Sequence, residues 1–162
     1  DGFDYEAVRS KRVELMDNYV EKNGIEVKSG AKELLSFLKE NGYKVALATA
    51  TPPERAERYL KAHDLYKYFD VTVSASMVSI GKPAPDIYLK AAEMLSLSPQ
   101  SCVALEDSPN GIKSASSAGC VTVMVPDLDK PSNDIIPLLH GVADGLSDVK
   151  RILRELEDCN IQ

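Results

Sequence analysis

The chain has 162 residues, 44% of them hydrophobic and 27% charged, an ordinary globular composition with enough length for one well-buried core. Its net charge of −6 and the lack of any basic stripe exclude an electrostatic nucleic-acid or anionic-membrane surface. No apolar run reaches membrane-spanning length, and the acidic start at Asp1 and Asp4 is unlike a signal peptide.

In chain order, Phe3 to Lys22 reads as a helix with Val8, Leu15 and Tyr19 on one face, stopped by Asn23-Gly24. Ser29 is placed to cap a second helix over Gly30–Glu40, with Leu34, Leu35 and Leu38 inward and Asn41-Gly42 at its end. From there the pattern alternates. Strands are expected at Tyr43–Ala48, Val71–Val73, Cys102–Leu105 and Val121–Val125. Helices are expected at Pro53–Ala62, Asp86–Leu95 (Ile87, Ala91, Met94 and Leu95 inward), Asn110–Ser117 and Ser147–Glu157, with a helical turn near Ile135–Leu139. Strands alternating with helices imply an α/β fold, a Rossmann-like parallel sheet with helices on both faces. In such sheets ligands bind outside the carboxyl ends of the strands.

Three features fall at those ends. Glu106 and Asp107 close the Cys102–Leu105 run, and neighbouring carboxylates repel unless a cation stands between them. A hard cation such as Mg2+ is held by one or two carboxylates, waters and phosphate oxygens. The competing reading makes Asp107 a helix cap and leaves Glu106 solvated. Lys82, between Gly81 and Pro83 before a helix, can neutralise phosphate oxygens, or can be an ordinary solvated lysine. Thr49 ends its strand before a helix whose free N–H groups favour an anion, with Thr51 as the possible cap of that helix.

Together, Leu47-Ala48-Thr49-Ala50-Thr51, Gly81-Lys82-Pro83-Ala84-Pro85-Asp86 and Leu105-Glu106-Asp107-Ser108 resemble motifs two, three and four of the haloacid dehalogenase superfamily. The likeness is greatest to its β-phosphoglucomutase-like and sugar-phosphate phosphatase branch, and it runs from about Val27 to Leu153. It implies that Thr49 and Ala50 bind the transferring phosphoryl group, that Lys82 neutralises it, and that Glu106 and Asp107 bind Mg2+. It also implies that residues 1–26 are the last helix of a helical cap and that 27–162 form the core.

The family's first motif, a strand followed by Asp-x-Asp with the nucleophile, would lie before Asp1. Asp4-Tyr5-Glu6 lacks a strand ahead of it, and Asp127-Leu128-Asp129 follows Pro126 rather than a strand directly. No nucleophile is therefore assigned within this chain. The central strand would also be missing, leaving a slot between the strands ending at Ala48 and Leu105. That segment would be supplied in cis or as a separate piece, and the natural gene product is expected to begin upstream of Asp1.

Pro52 and Pro53 stand where mutase relatives carry residues that hold a second phosphate, which favours a phosphatase. The expected function is Mg2+-dependent hydrolysis of a small phosphorylated metabolite through an aspartyl-phosphate. The alternatives are a phosphohexomutase and a non-catalytic fragment or pseudoenzyme serving in assembly. Cys102, Cys120 and Cys159 lack metal-ligand spacing, and free thiols in a reducing cytoplasm are expected.

Overall fold

The computed structural model describes residues 4–159. Helix α1 (Tyr5–Asn23) begins at Asp4, whose carboxylate accepts from the Ala7 N–H, and ends at Gly24 with φ of 75°. The expected start at Phe3 lies outside the described residues. None of the residues of α1 is buried. Val8, Leu15 and Tyr19, read as one inward face, are 52%, 58% and 62% exposed. Their spacing is helical, but no described element covers them.

Helix α2 (Ala31–Glu40) is entered through Gly30, not capped by Ser29: Gly30 adopts φ of 82° and no side chain caps the helix. A Cβ at position 30 would meet Ser147 Oγ at 2.6 Å, so close approach as well as backbone conformation selects glycine there. Strand β1 (Ala46–Thr49) starts later than the apolar run implies. The residues before it are tied differently, because Val45 N–H donates to Asp70 Oδ2 at 2.7 Å and Asp70 N–H to the Val45 carbonyl at 2.8 Å.

The next elements follow the expected alternation: α3 (Pro53–Ala62), β2 (Val71–Ser74), α4 (Asp86–Leu95), β3 (Val103–Glu106), α5 (Pro109–Ala118) and β4 (Val121–Met124). Strand β5 (Gly141–Val142) was not legible, being too short to show periodicity. Helix α6 (Val149–Cys159) ends the described chain. On α4, Met94 is 40% exposed and Ala92 takes its place in the interior.

All strand pairs are parallel. β1 pairs with β2, with Thr49 opposite Ser74, while β3, β4 and β5 form a separate group in that order, with Glu106 opposite Met124. β1 and β3 are not paired among the described residues, and each has one edge without a strand partner. α4 spans the division. Ile87 and Ala91 pack with Val73 against β1 and β2, and Tyr88 touches that cluster and the Ala104–Ala115 cluster under β3. On the far side, Val123, Val149, Ile152 and Leu153 form a core with Leu34 of α2. Leu105 of β3 packs against the same cluster, which anchors the three-stranded group.

Candidate active site

The turn after β1 is held in place by its own polar groups. Thr49 Oγ1 accepts from the Thr51 N–H at 3.0 Å, and buried Ser74 Oγ donates to the Thr51 carbonyl at 3.1 Å. The expected Thr51 cap is not formed. Pro52 occupies the cap position of α3, and no side chain bonds there. Ala50 is exposed at the tip of this turn.

The Lys82 ammonium crosses the division between the strand groups. It donates to the Ala48 carbonyl at 3.3 Å on the β1 side and to Glu106 Oε1 on the β3 side. Its loop is fixed from below by fully buried Ser114 of α5, whose hydroxyl donates to the Ala84 carbonyl at 2.6 Å. Glu106 is only 8% exposed. A buried carboxylate is costly unless paired and hydrogen-bonded, and here it is both. Oε1 accepts from Lys82 and from the Tyr88 hydroxyl, and Ser108 Oγ donates to Oε2 at 3.4 Å.

Ser108 also accepts from the Gly111 N–H at 3.2 Å and so caps α5. The cap reading of Asp107 therefore fails. Its side chain is exposed beside Glu106, and among the described residues it pairs with no cation. Sequence reasoning missed two residues. Gly111 makes room for the carboxylate, since a Cβ there would stand 1.9 Å from Glu106 Oε2. Tyr88 closes the Lys82–Glu106 pair from α4, and its phenol is pushed up from the ordinary tyrosine value by burial and then by the Glu106 charge, so it remains a donor. A phenol in the first turn of an amphipathic helix carries no periodic sign of a polar task.

The structure thus joins Lys82 to Glu106 and brings the end of β1 to them through Ala48. Thr49 and Asp107 stand at adjoining positions without bonding to that pair. The rejected acidic pairs have other partners: Asp4 caps α1, and Asp127 pairs with Lys28 at 3.2 Å. A cavity of about 850 Å³ lies elsewhere, between α1 and α3, with Asp17, Arg55 and Tyr59 in its lining.

Among the described residues no group of three or more histidine, cysteine or acidic side chains is placed to hold a metal. The donor set nevertheless suits a share of a Mg2+ site. Asp107 offers a hard, exposed carboxylate, and Glu106 a second on the adjacent residue. Glu106 is already compensated by Lys82, so water and other oxygens would complete the coordination.

Parallel βα units with a lysine and paired acids at the carboxyl ends of their strands define an α/β protein of Rossmann-like type with its polar groups where such folds bind ligands. Residues 2–119 match the family model of haloacid dehalogenase-like hydrolases, and the chain belongs to that family. It is 40% identical over 124 residues, 76% of its length, to a phosphorylated carbohydrates phosphatase of Thermotoga maritima. Among solved structures it resembles CbbY of Rhodobacter sphaeroides in complex with phosphate (TM-score 0.77, 26% identity, 92% of this chain and 67% of that one). It also resembles a β-phosphoglucomutase of Clostridium difficile (TM-score 0.71, 25% identity, 84% and 59%). The chain spans 50% of the Thermotoga phosphatase's length.

Proposed function

We propose that these residues form the phosphate-neutralising and metal-binding part of a Mg2+-dependent phosphohydrolase acting on a small phosphorylated metabolite, first of all a sugar phosphate. The observation that carries this reading is the Lys82 ammonium, held between the carboxyl ends of β1 and β3 by Ala48 and Glu106. A preorganised cation at that point offsets charge gathering on phosphoryl oxygens during transfer. Thr49 Oγ1 and the Ala50 N–H would bind the same oxygens from the β1 turn. Asp107, with Glu106, would hold Mg2+, which supplies further charge neutralisation when bound.

The nucleophile is proposed to be an aspartate on a strand outside these 162 residues, which would enter the slot between β1 and β3. Attack by its carboxylate oxygen would break the bond from phosphorus to the metabolite's oxygen, which would leave as a hydroxyl with a proton from the second aspartate of the same Asp-x-Asp. That aspartate would then take a proton from the water that hydrolyses the aspartyl-phosphate. The substrate class is supported by the named activity of the Thermotoga relative, a phosphatase of phosphorylated carbohydrates. A cytoplasmic location belongs to the same reading. Among the described residues, no helix is long and apolar enough to cross a membrane.

The test is release of inorganic phosphate from p-nitrophenyl phosphate and from hexose phosphates by the natural gene product, with and without a chelator. Hydrolysis that the chelator abolishes is expected. No release under either condition would overturn the reading. The likeness to a β-phosphoglucomutase favours a second reading, transfer of the phosphoryl group back to the sugar. It is recognised by isomerised hexose phosphate in place of free phosphate.

A further inference from the structure

We propose that Tyr88 is a positioning residue for this site: its hydroxyl holds the Glu106 carboxylate turned toward Lys82 and so fixes where the ammonium points. The proposal rests on the reading of Lys82 as the group that neutralises the phosphoryl oxygens.

Three contacts close a ring. Lys82 Nζ and the Tyr88 hydroxyl both donate to Glu106 Oε1, and Lys82 Nζ lies 3.5 Å from the Tyr88 oxygen, a long donor contact. The ammonium also stands 5.1 Å from the centre of the Tyr88 ring, within cation–π range. A lysine side chain has four rotatable bonds, and a carboxylate alone leaves it several positions of similar energy. Adding a phenol that donates to the same oxygen and presents its ring face to the ammonium removes most of them.

Tyr88 is itself well braced. It packs against the buried cluster of Val73, Ile87 and Ala91 and also against the cluster of Ala104, Ala115, Ala118 and Cys120. It therefore touches both strand groups at the place where no strand joins them. The other oxygen of Glu106 is confined by Ser108 and by the space that Gly111 leaves. With both oxygens engaged, Glu106 serves Lys82 first, and Asp107 is the carboxylate left for the metal.

Tyr88→Phe removes the hydroxyl and keeps the ring. In the natural gene product with Mg2+ and p-nitrophenyl phosphate, kcat is expected to fall about tenfold, with KM within about twofold, because orientation rather than substrate affinity is lost. The second readout is the 1H–15N signal of the Lys82 ammonium in 15N-lysine-labelled protein, assigned through Lys82→Arg. It is expected to shift and broaden in Tyr88→Phe. An unchanged ammonium signal overturns the proposal whatever kcat does. A changed signal with unchanged kcat supports the hold of Tyr88 on Lys82 and counts instead against the catalytic use of Lys82, which is the earlier reading. Should the variant not fold, the unsubstituted protein decides. A Tyr88 hydroxyl proton bonded to Glu106 exchanges slowly enough to be seen by NMR, and its absence overturns the proposal.

Discussion

A methyl group at position 111 would stand 1.9 Å from Glu106 Oε2 and 2.1 Å from its carboxyl carbon. Neither the α5 backbone nor a carboxylate bonded to Lys82 and Tyr88 can yield that much room without breaking a contact. Gly111→Ala is therefore expected to displace Glu106 and lower stability by about 1–3 kcal/mol, the scale of overpacking, as read in a denaturant titration. Lys82→Ala removes a preorganised charge, and turnover of the natural gene product should fall by roughly two or more orders of magnitude. Near-unchanged turnover would take Lys82 out of the mechanism. The placement of Thr49, Lys82, Glu106 and Asp107 near strand carboxyl ends was legible in the sequence, because the α/β alternation marks where those ends fall. Tyr88 and Gly111 were not. Their roles come from approach between α4, β3 and α5, and periodicity along one segment says nothing about distances between segments.

Strands and helices were legible where a long apolar rhythm marks them, as in α3 and α4, and less so where a tertiary partner decides. The start of β1 is such a case. Asp70, just before β2, accepts from the Val45 N–H at 2.7 Å and from the Lys39 ammonium at 2.7 Å, tying α2, β1 and β2 together. Its carboxyl lies below the ordinary aspartate value, through the Lys39 bond first and then the Val45 bond. Because the side chain is 39% exposed, solvent screens the ion pair, and its contribution to stability is discounted accordingly. Asp70→Ala should cost about 1 kcal/mol in thermal or urea unfolding. The sign follows from the depressed value: the contribution is present above the ordinary aspartate range and is lost as pH falls through the folded-state value. A variant as stable as the parent at neutral pH would mean that Val45 N–H finds water at no cost. Helix α1 shows the opposite lesson. Its apolar positions were visible, but not that they face outward among the described residues, since a hydrophobic pattern shows that a face is to be covered and not by what.

At the scale of the whole molecule, five parallel strands form two groups, joined at the site by Lys82 and alongside it by Tyr88 and α4. A single Rossmann-like sheet was the expectation, together with a slot where a central strand is missing, and the observed strand order has that division between β1 and β3. Two consequences can be measured on the 162-residue chain. Mg2+ should bind weakly in calorimetric titration, because among the described residues no group of three or more candidate ligands adds to the adjacent Glu106 and Asp107, and Glu106 is taken up by Lys82. Tight binding by this chain alone would make the acid pair self-sufficient. The second consequence concerns the backbone. A strand edge without a partner leaves N–H groups to solvent, and such groups exchange quickly, while those in a ladder exchange only on opening. In the 162-residue chain, the β1 and β3 amides that point into the slot should exchange far faster than those directed at β2 and β4. When an upstream segment with a strand and the first-motif aspartates is present, the same amides should become protected by about a hundredfold or more, the scale of structure that must open before exchange. Protection of the slot amides in the 162-residue chain alone would mean that β1 and β3 close on each other in solution. No room would then remain for a nucleophile between Thr49 and Asp107, and Lys82 would be a structural tie across a finished sheet.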